Sequence, residues 1–240
     1  MPMGTAFCHP LSVLDDHSRY LIGLEPMRGP QLETTQRALI DMFETYGLPE
    51  AMLMDHGAAW WNPTNGHGLT RLSVMLIKQG IALRYSGVGH PQTQGKVEKW
   101  HDTLRRAVRH HGKPPEDLAG WVALLSRIRQ NYNHRRPHEA LEMDVPAQRY
   151  RGSPRRYQPQ PVEWQYPTGS AVKRVDCDGR ISIFGGNRFV SEALVGERVR
   201  LQRMGRVALI SYRHMYIREI HADGPSKTLI CPVWENVYAN

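Results

Sequence analysis

The sequence is poor in cysteine, in phenylalanine and in long apolar runs. Three cysteines occur among 240 residues, Cys8, Cys177 and Cys231, odd in number, far apart and without a Cys-x-x-Cys pair. That pattern excludes a disulfide framework or a zinc knuckle and reads as buried thiols in a reducing compartment. No stretch approaches the roughly 18 consecutive apolar residues that cross a bilayer, and the opening Met1-Pro2-Met3-Gly4 has neither a charged nor an apolar signal region. A cytoplasmic protein with no membrane partner is therefore expected. Internal repeats at solenoid or propeller periods are absent, and Met1 to Leu14 contains no acidic residue.

What the chain has is positive charge. Lys and Arg number 31 against 23 Asp and Glu, a formal charge of +8, with a pI near 9.6. That balance favours a polyanionic partner, nucleic acid above all, by phosphate neutralisation and counterion release. A hydrophobic content of 40% is enough for two folded units, one of ordinary size and one smaller.

Phe7 to Leu14 and Arg19 to Leu24 are β-rich runs joined by the polar turn Asp15-Asp16-His17-Ser18, the pattern of a hairpin. Gln31 to Tyr46 has helical spacing and stops at Gly47 and Pro49. Ala51 to Met54 reads as a buried parallel strand that delivers Asp55 to its C-terminal end, with Asp55-His56-Gly57 as the turn out of the sheet. A helix over Leu69 to Gln79 and a strand over Ile81 to Tyr85 complete a β-helix-β alternation, hence an α/β domain. A basic helix over Lys96 to His111 and a second helix over Asp117 to Tyr132 follow, and Pro137 and Pro146 end the pattern. The proline-rich stretch 154–167 is the linker candidate, between a domain over 1–153 and one over 168–240. The latter holds short strands, up to Val207 to Tyr212, between turn glycines. It reads as a small all-β barrel followed by a tail.

Two acids stand out. Asp55 sits where open α/β sheets place functional groups, and Glu98 lies in the first turn of the basic helix, with 42 residues between them. Carboxylates from separate elements are what hard divalent cations require. The plainer alternatives are an Asp that only closes its own turn and a Glu that only offsets a helix dipole. Lys96, Lys99, Arg105, Arg106 and Arg109 lie around and beyond Glu98 and are candidate DNA contacts, while Arg127, Arg129, Arg135 and Arg136 read equally well as a solvated face. His90, His101, His134 and His138 show no zinc-ligand spacing. The six tryptophans are mainly core candidates, with Trp60-Trp61 able to stack on bases beside Asp55.

Four blocks, taken in order, resemble a known family: Leu11-Ser12-Val13-Leu14-Asp15-Asp16-His17-Ser18-Arg19-Tyr20; Met54-Asp55-His56-Gly57; His90-Pro91-Gln92-Thr93-Gln94-Gly95-Lys96-Val97-Glu98-Lys99-Trp100-His101; and Tyr132-Asn133-His134-Arg135-Arg136-Pro137-His138-Glu139-Ala140-Leu141. They are similar to the integrase catalytic core of bacterial insertion-sequence transposases and of retroviral integrases. Arg188-Phe189-Val190-Ser191 and its neighbours resemble the small β-barrel that follows this core in many of these transposases.

The resemblance implies a ribonuclease H-like mixed sheet with flanking helices, and DDE-type chemistry with two Mg²⁺ or Mn²⁺ ions. It implies double-stranded DNA partners, namely insertion-sequence ends and target, a homo-oligomer on DNA, and a place at the bacterial nucleoid. Asp55 and Glu98 match the second and third acids, as catalytic residues and metal ligands. The family's first catalytic Asp lies on a strand before the one that corresponds to Leu11 to Leu14, and neither that strand nor the usual N-terminal helix-turn-helix is found here. Asp15 or Asp16 would be a substitute ligand only by leaving its hairpin-turn role. The expectation is therefore a truncated or decayed transposase core with an incomplete site, and the rival is a catalytically incomplete DNA-binding or assembly module. A ribonuclease H-like domain with no DNA role fits the charge poorly.

Overall fold

The computed structural model describes residues 8–29, 31–85 and 95–233. Met1 to Gly4, Phe7, His90 to Gln94 and Trp234 lie outside the described residues. Among those described, the helices are α1 (Leu32–Tyr46), α2 (Arg71–Lys78), α3 (Gly95–His111), α4 (Leu118–Arg135) and α5 (Pro146–Arg149). The strands are β1 (Leu11–Leu14), β2 (Leu21–Glu25), β3 (Ala51–Met54), β4 (Ala82–Tyr85), β5 (Ala171–Arg174), β6 (Arg180–Ile183), β7 (Gly186–Phe189), β8 (Arg198–Met204), β9 (Val207–Tyr212), β10 (Met215–His221) and β11 (Lys227–Pro232). Two compact units result, residues 1–47 with 87–156 and residues 48–86 with 157–240.

In the first unit β1 and β2 pair antiparallel, Leu11 opposite Glu25 and Leu14 opposite Leu21. The turn between them is closed by Asp15, whose carboxylate accepts from the Ser18 N–H at 2.8 Å and the Ser18 hydroxyl at 2.5 Å. β1 begins later than the apolar run from Phe7 suggests, because Pro10 brings no N–H to a ladder. α1 buries Leu39, Met42 and Phe43 and lies close to β2: a Cβ on Gly23 would fall 2.0 Å from the Met42 Cε. It stops at Gly47, where φ is 82° and a Cβ would come within 2.3 Å of the Ser153 carbonyl oxygen. Only glycine meets both conditions.

α3 contributes Trp100 and Leu104 to a core with Trp121, Leu124, Leu125 and Ile128 of α4 and Leu21 and Leu24 of β2. α4 is capped by the Asp117 carboxylate, which accepts from the Gly120 N–H at 2.8 Å. It runs on past Tyr132 to Arg135 and ends where Arg136, preceding Pro137, turns extended. The added turn carries Asn133, 2% exposed. Its side chain accepts from the Leu21 N–H at 2.8 Å and donates to the Leu21 carbonyl at 3.0 Å.

In the second unit β3 and β4 pair parallel, with Met54 opposite Tyr85. α2 between them buries Leu72, Leu76 and Ile77 and starts on a reciprocal cap between Thr70 and Ser73. β3 is less buried than a parallel strand is expected to be: Met54 is buried, but Leu53 is 45% exposed. The remaining strands form a five-stranded antiparallel sheet, ordered β11-β10-β9-β8-β5, and the separate hairpin β6-β7.

This corrects the expected barrel. Closure needs a ladder between the two outermost strands, and among the described residues β5 and β11 are both edges; β11 lies instead against β4. β10 sits inside the sheet between β9 and β11. The proline-rich stretch has no regular structure but is held at two points. Gln79 exchanges two hydrogen bonds with the Gln158 backbone. The Tyr166 hydroxyl donates to the Arg198 carbonyl at 2.8 Å and accepts from the Arg213 N–H at 3.0 Å.

Candidate active site

Asp55 follows β3 directly and is exposed. Its Oδ1 accepts from the Gly57 N–H at 2.9 Å, the self-closing turn that an Asp two residues before Gly favours. Beside it His56, Trp61 and Tyr85 meet edge to face or tilted, with ring centroids 4.5 Å (His56–Trp61) and 4.9 Å (Trp61–Tyr85) apart. Tyr85 is fixed by its hydroxyl, which donates to the Trp60 carbonyl at 2.9 Å, and burial pushes its phenol up to about 12. Trp60-Trp61 thus frame the strand end, and Trp100 and Trp121 are core residues.

Glu98 lies in the first turn of α3, exposed, in the other unit. At 3.6 residues per turn it shares one side of the helix with Asp102, Arg105 and Arg109. The basic candidates divide by their partners. Lys96 donates to Asp16 at 2.6 Å and Arg105 is paired with Asp102. Lys99, Arg106 and Arg109 are exposed and make no ion pair among the described residues. Arg129 has a structural task, donating to the Ile22 carbonyl at 3.2 Å.

Both hairpin acids already have partners: Asp15 closes its turn, and Asp16 is paired with Lys96 and lies 3.7 Å from Arg19. Among the described residues no three His, Cys, Asp or Glu side chains gather where a metal could be held. Of the histidines, His134 packs edge-on to Tyr20 and His138 is half-buried. The thiols also differ from expectation: Cys8 is buried, with its pKa raised mainly by that burial, while Cys231 is partly covered and Cys177 is exposed on a turn. Among the described residues no helix is long and apolar enough to cross a membrane.

Residues 79–146 match the family described as integrase core domain. The chain is 27% identical over 136 residues to the Pro-Pol polyproteins of simian foamy virus type 1 and of simian foamy virus type 3 (strain LK3), covering 56% of this chain and 11% of each of those. An uncharacterised Caenorhabditis elegans protein is 27% identical over 146 residues. The chain spans about a tenth of the length of these relatives.

In fold it is similar to a chain of the simian T-cell lymphotropic virus intasome solved in complex with the PP2A regulatory subunit B56 gamma. The TM-score is 0.52 at 14% identity, over 97% of this chain and 76% of that one. Together these findings support an integrase or transposase type of catalytic core, the class that the four sequence blocks indicate.

Sequence reasoning missed Asn133 and the Arg129 contact, although both lie in or near the fourth block. The apolar stripe ends at Tyr132 while α4 runs on to Arg135, so only the structure places Asn133 on the helix.

Proposed function

We propose that the chain acts in DNA integration or transposition as an integrase-type core of ribonuclease H-like ancestry, with a β unit attached, and that Asp55 and Glu98 are its two catalytic acids. The observation that carries the reading is Glu98 in the first turn of α3, within the matched segment 79–146, on a helix whose exposed side also presents Lys99, Arg106 and Arg109. The basic side chains would hold backbone phosphates by charge. The reaction proposed is in-line attack on a phosphodiester by water or a DNA 3′-hydroxyl, the new P–O bond forming as the old one breaks.

Integrase cores in general depend on a divalent metal. Asp55 and Glu98 would hold Mg²⁺ or Mn²⁺, which would supply charge stabilisation at the phosphate, although two acids fall short of the implied three. That shortfall favours a second reading, an assembly or DNA-binding module without catalysis. The DNA partners would be insertion-sequence ends and target, bound by more than one copy.

The two readings separate in one assay. Labelled duplex carrying the element's ends is incubated with the chain and Mg²⁺ or Mn²⁺, with Asp55→Asn and Glu98→Gln alongside. Cleavage that falls at least 100-fold in both variants, with duplex binding retained, is the expected result. Cleavage that survives either change removes that acid from the site. Binding without cleavage by the unaltered chain establishes the assembly module.

A further inference from the structure

Between α3 and α4, inside the first unit, lies an open groove of about 380 Å³. Its floor includes Trp100, Leu124 and Ile128, and its rim carries Arg127, Arg136 and His111. No Asp or Glu is among the residues that line it. The Arg127 guanidinium donates to the His111 Nδ1 at 2.7 Å, so the rim is braced by a pair that contains no carboxylate. Trp100 is 2% exposed, so the floor is fixed by the core behind it. The volume is at the small end of ligand sites, roughly 300–1,000 Å³, and suits one or two large side chains. The complementary ligand is an apolar side chain next to a carboxylate.

The chain displays that chemistry elsewhere. In the stretch between Gln158 and Tyr166, Val162 is 83% exposed and Trp164 is 38% exposed, with an exposed Glu163 between them. Glu163 has only a long, solvent-screened pair with Arg198, at 3.6 Å. Val162 stands free of the surface, whereas Trp164 rests beside Tyr166 and His214, with ring centroids 6.5 and 6.1 Å away, and keeps one part of its ring in the open. We infer that the Val162-Glu163-Trp164 segment of one copy seats in the α3–α4 groove of a second copy, apolar side chains on the Trp100 floor and the Glu163 carboxylate on Arg127 and Arg136. Duplex DNA could meet the same arginines, but a phosphate backbone offers nothing to the apolar floor. The inference is independent of whether the chain cleaves DNA.

Sedimentation of the full chain tests it by charge reversal, since Arg127 and Glu163 are both exposed and their replacement leaves the core intact. The unaltered chain should self-associate. Arg127→Glu and Glu163→Arg should each weaken association at least tenfold, and an equimolar mixture of the two variants should regain it, because each groove then meets a segment of opposite charge. A labelled peptide spanning residues 158–166 should bind the full chain and lose at least tenfold in affinity to Arg127→Glu. A chain that stays monomeric, association indifferent to both variants, or no recovery in the mixture overturns the inference. Displacement of the peptide by short duplex DNA would assign the groove to DNA, and equal binding of an unrelated acidic aromatic peptide would assign it to another protein; either result removes the second copy.

Discussion

The Asn133 amide makes both of its hydrogen bonds to one residue, Leu21, so the side chain stands in for a neighbouring strand at that point of β2. Asn133→Ala leaves a buried N–H and a buried carbonyl unmet. At about 1–3 kcal/mol for each such group, the variant should lose roughly 2–6 kcal/mol in denaturant unfolding, with an unchanged slope. At the same scale, burial followed by Arg19 and Arg136 holds the His138 imidazole below its ordinary 6.5, and burial followed by Arg218 does the same to His67. Each folded pKa lies below the unfolded one, so the unfolded chain takes up the proton first. Stability is then full above about pH 6.5 and falls as pH drops through 6.5 towards the folded values. Thermal melts between pH 7.5 and 5.5 should show that fall, and His67→Gln with His138→Gln should flatten it.

Among the elements, α3 offers the sharpest test of a DNA face. If Lys99 and Arg106 neutralise phosphates, Lys99→Gln and Arg106→Gln should each reduce the salt dependence of duplex binding, log affinity against log salt, by about one unit of slope. Lys96→Gln and Arg105→Gln should move it less, because Asp16 and Asp102 already offset those charges. Equal slopes for all four would remove the distinction. The helices were legible because a 3.6-residue apolar stripe is written locally, as in Leu72 and Leu76 of α2 or Trp121, Leu124, Leu125 and Ile128 of α4, whereas their caps at Thr70 and Asp117 emerged only in the structure. β10 was not. Its centre is Arg218-Glu219, which breaks the alternation a strand should show, yet both side chains are buried. Arg218 is bonded to the Phe189 carbonyl and to Thr228, and Glu219 to His221, partners that only the folded sheet supplies. Asp55 and Glu98 were legible as acids at element ends. That Asp15 and Asp16 were already engaged by Ser18 and Lys96 needed coordinates, although the turn preference of Asp15 pointed that way.

On the scale of the whole molecule, each compact unit is drawn from two stretches of chain, so neither corresponds to a single contiguous fragment. In the second unit Lys78 is paired with Glu197 at 2.6 Å. The Arg213 guanidinium donates to the Lys78 carbonyl at 2.9 Å, and the buried Ser191 hydroxyl donates to the Gly66 carbonyl at 2.8 Å. The α2 segment therefore completes its hydrogen bonding with residues far along the sequence. During synthesis, residues 48–86 leave the ribosome well before Pro232, the last residue of β11, which follows residue 86 by 146 positions. At roughly 5–20 residues per second that is about 7–29 s. For that interval the apolar faces of β3, α2 and β4 wait without their covering sheet, which makes this the window in which a nascent chain would engage a chaperone or associate with another of its kind.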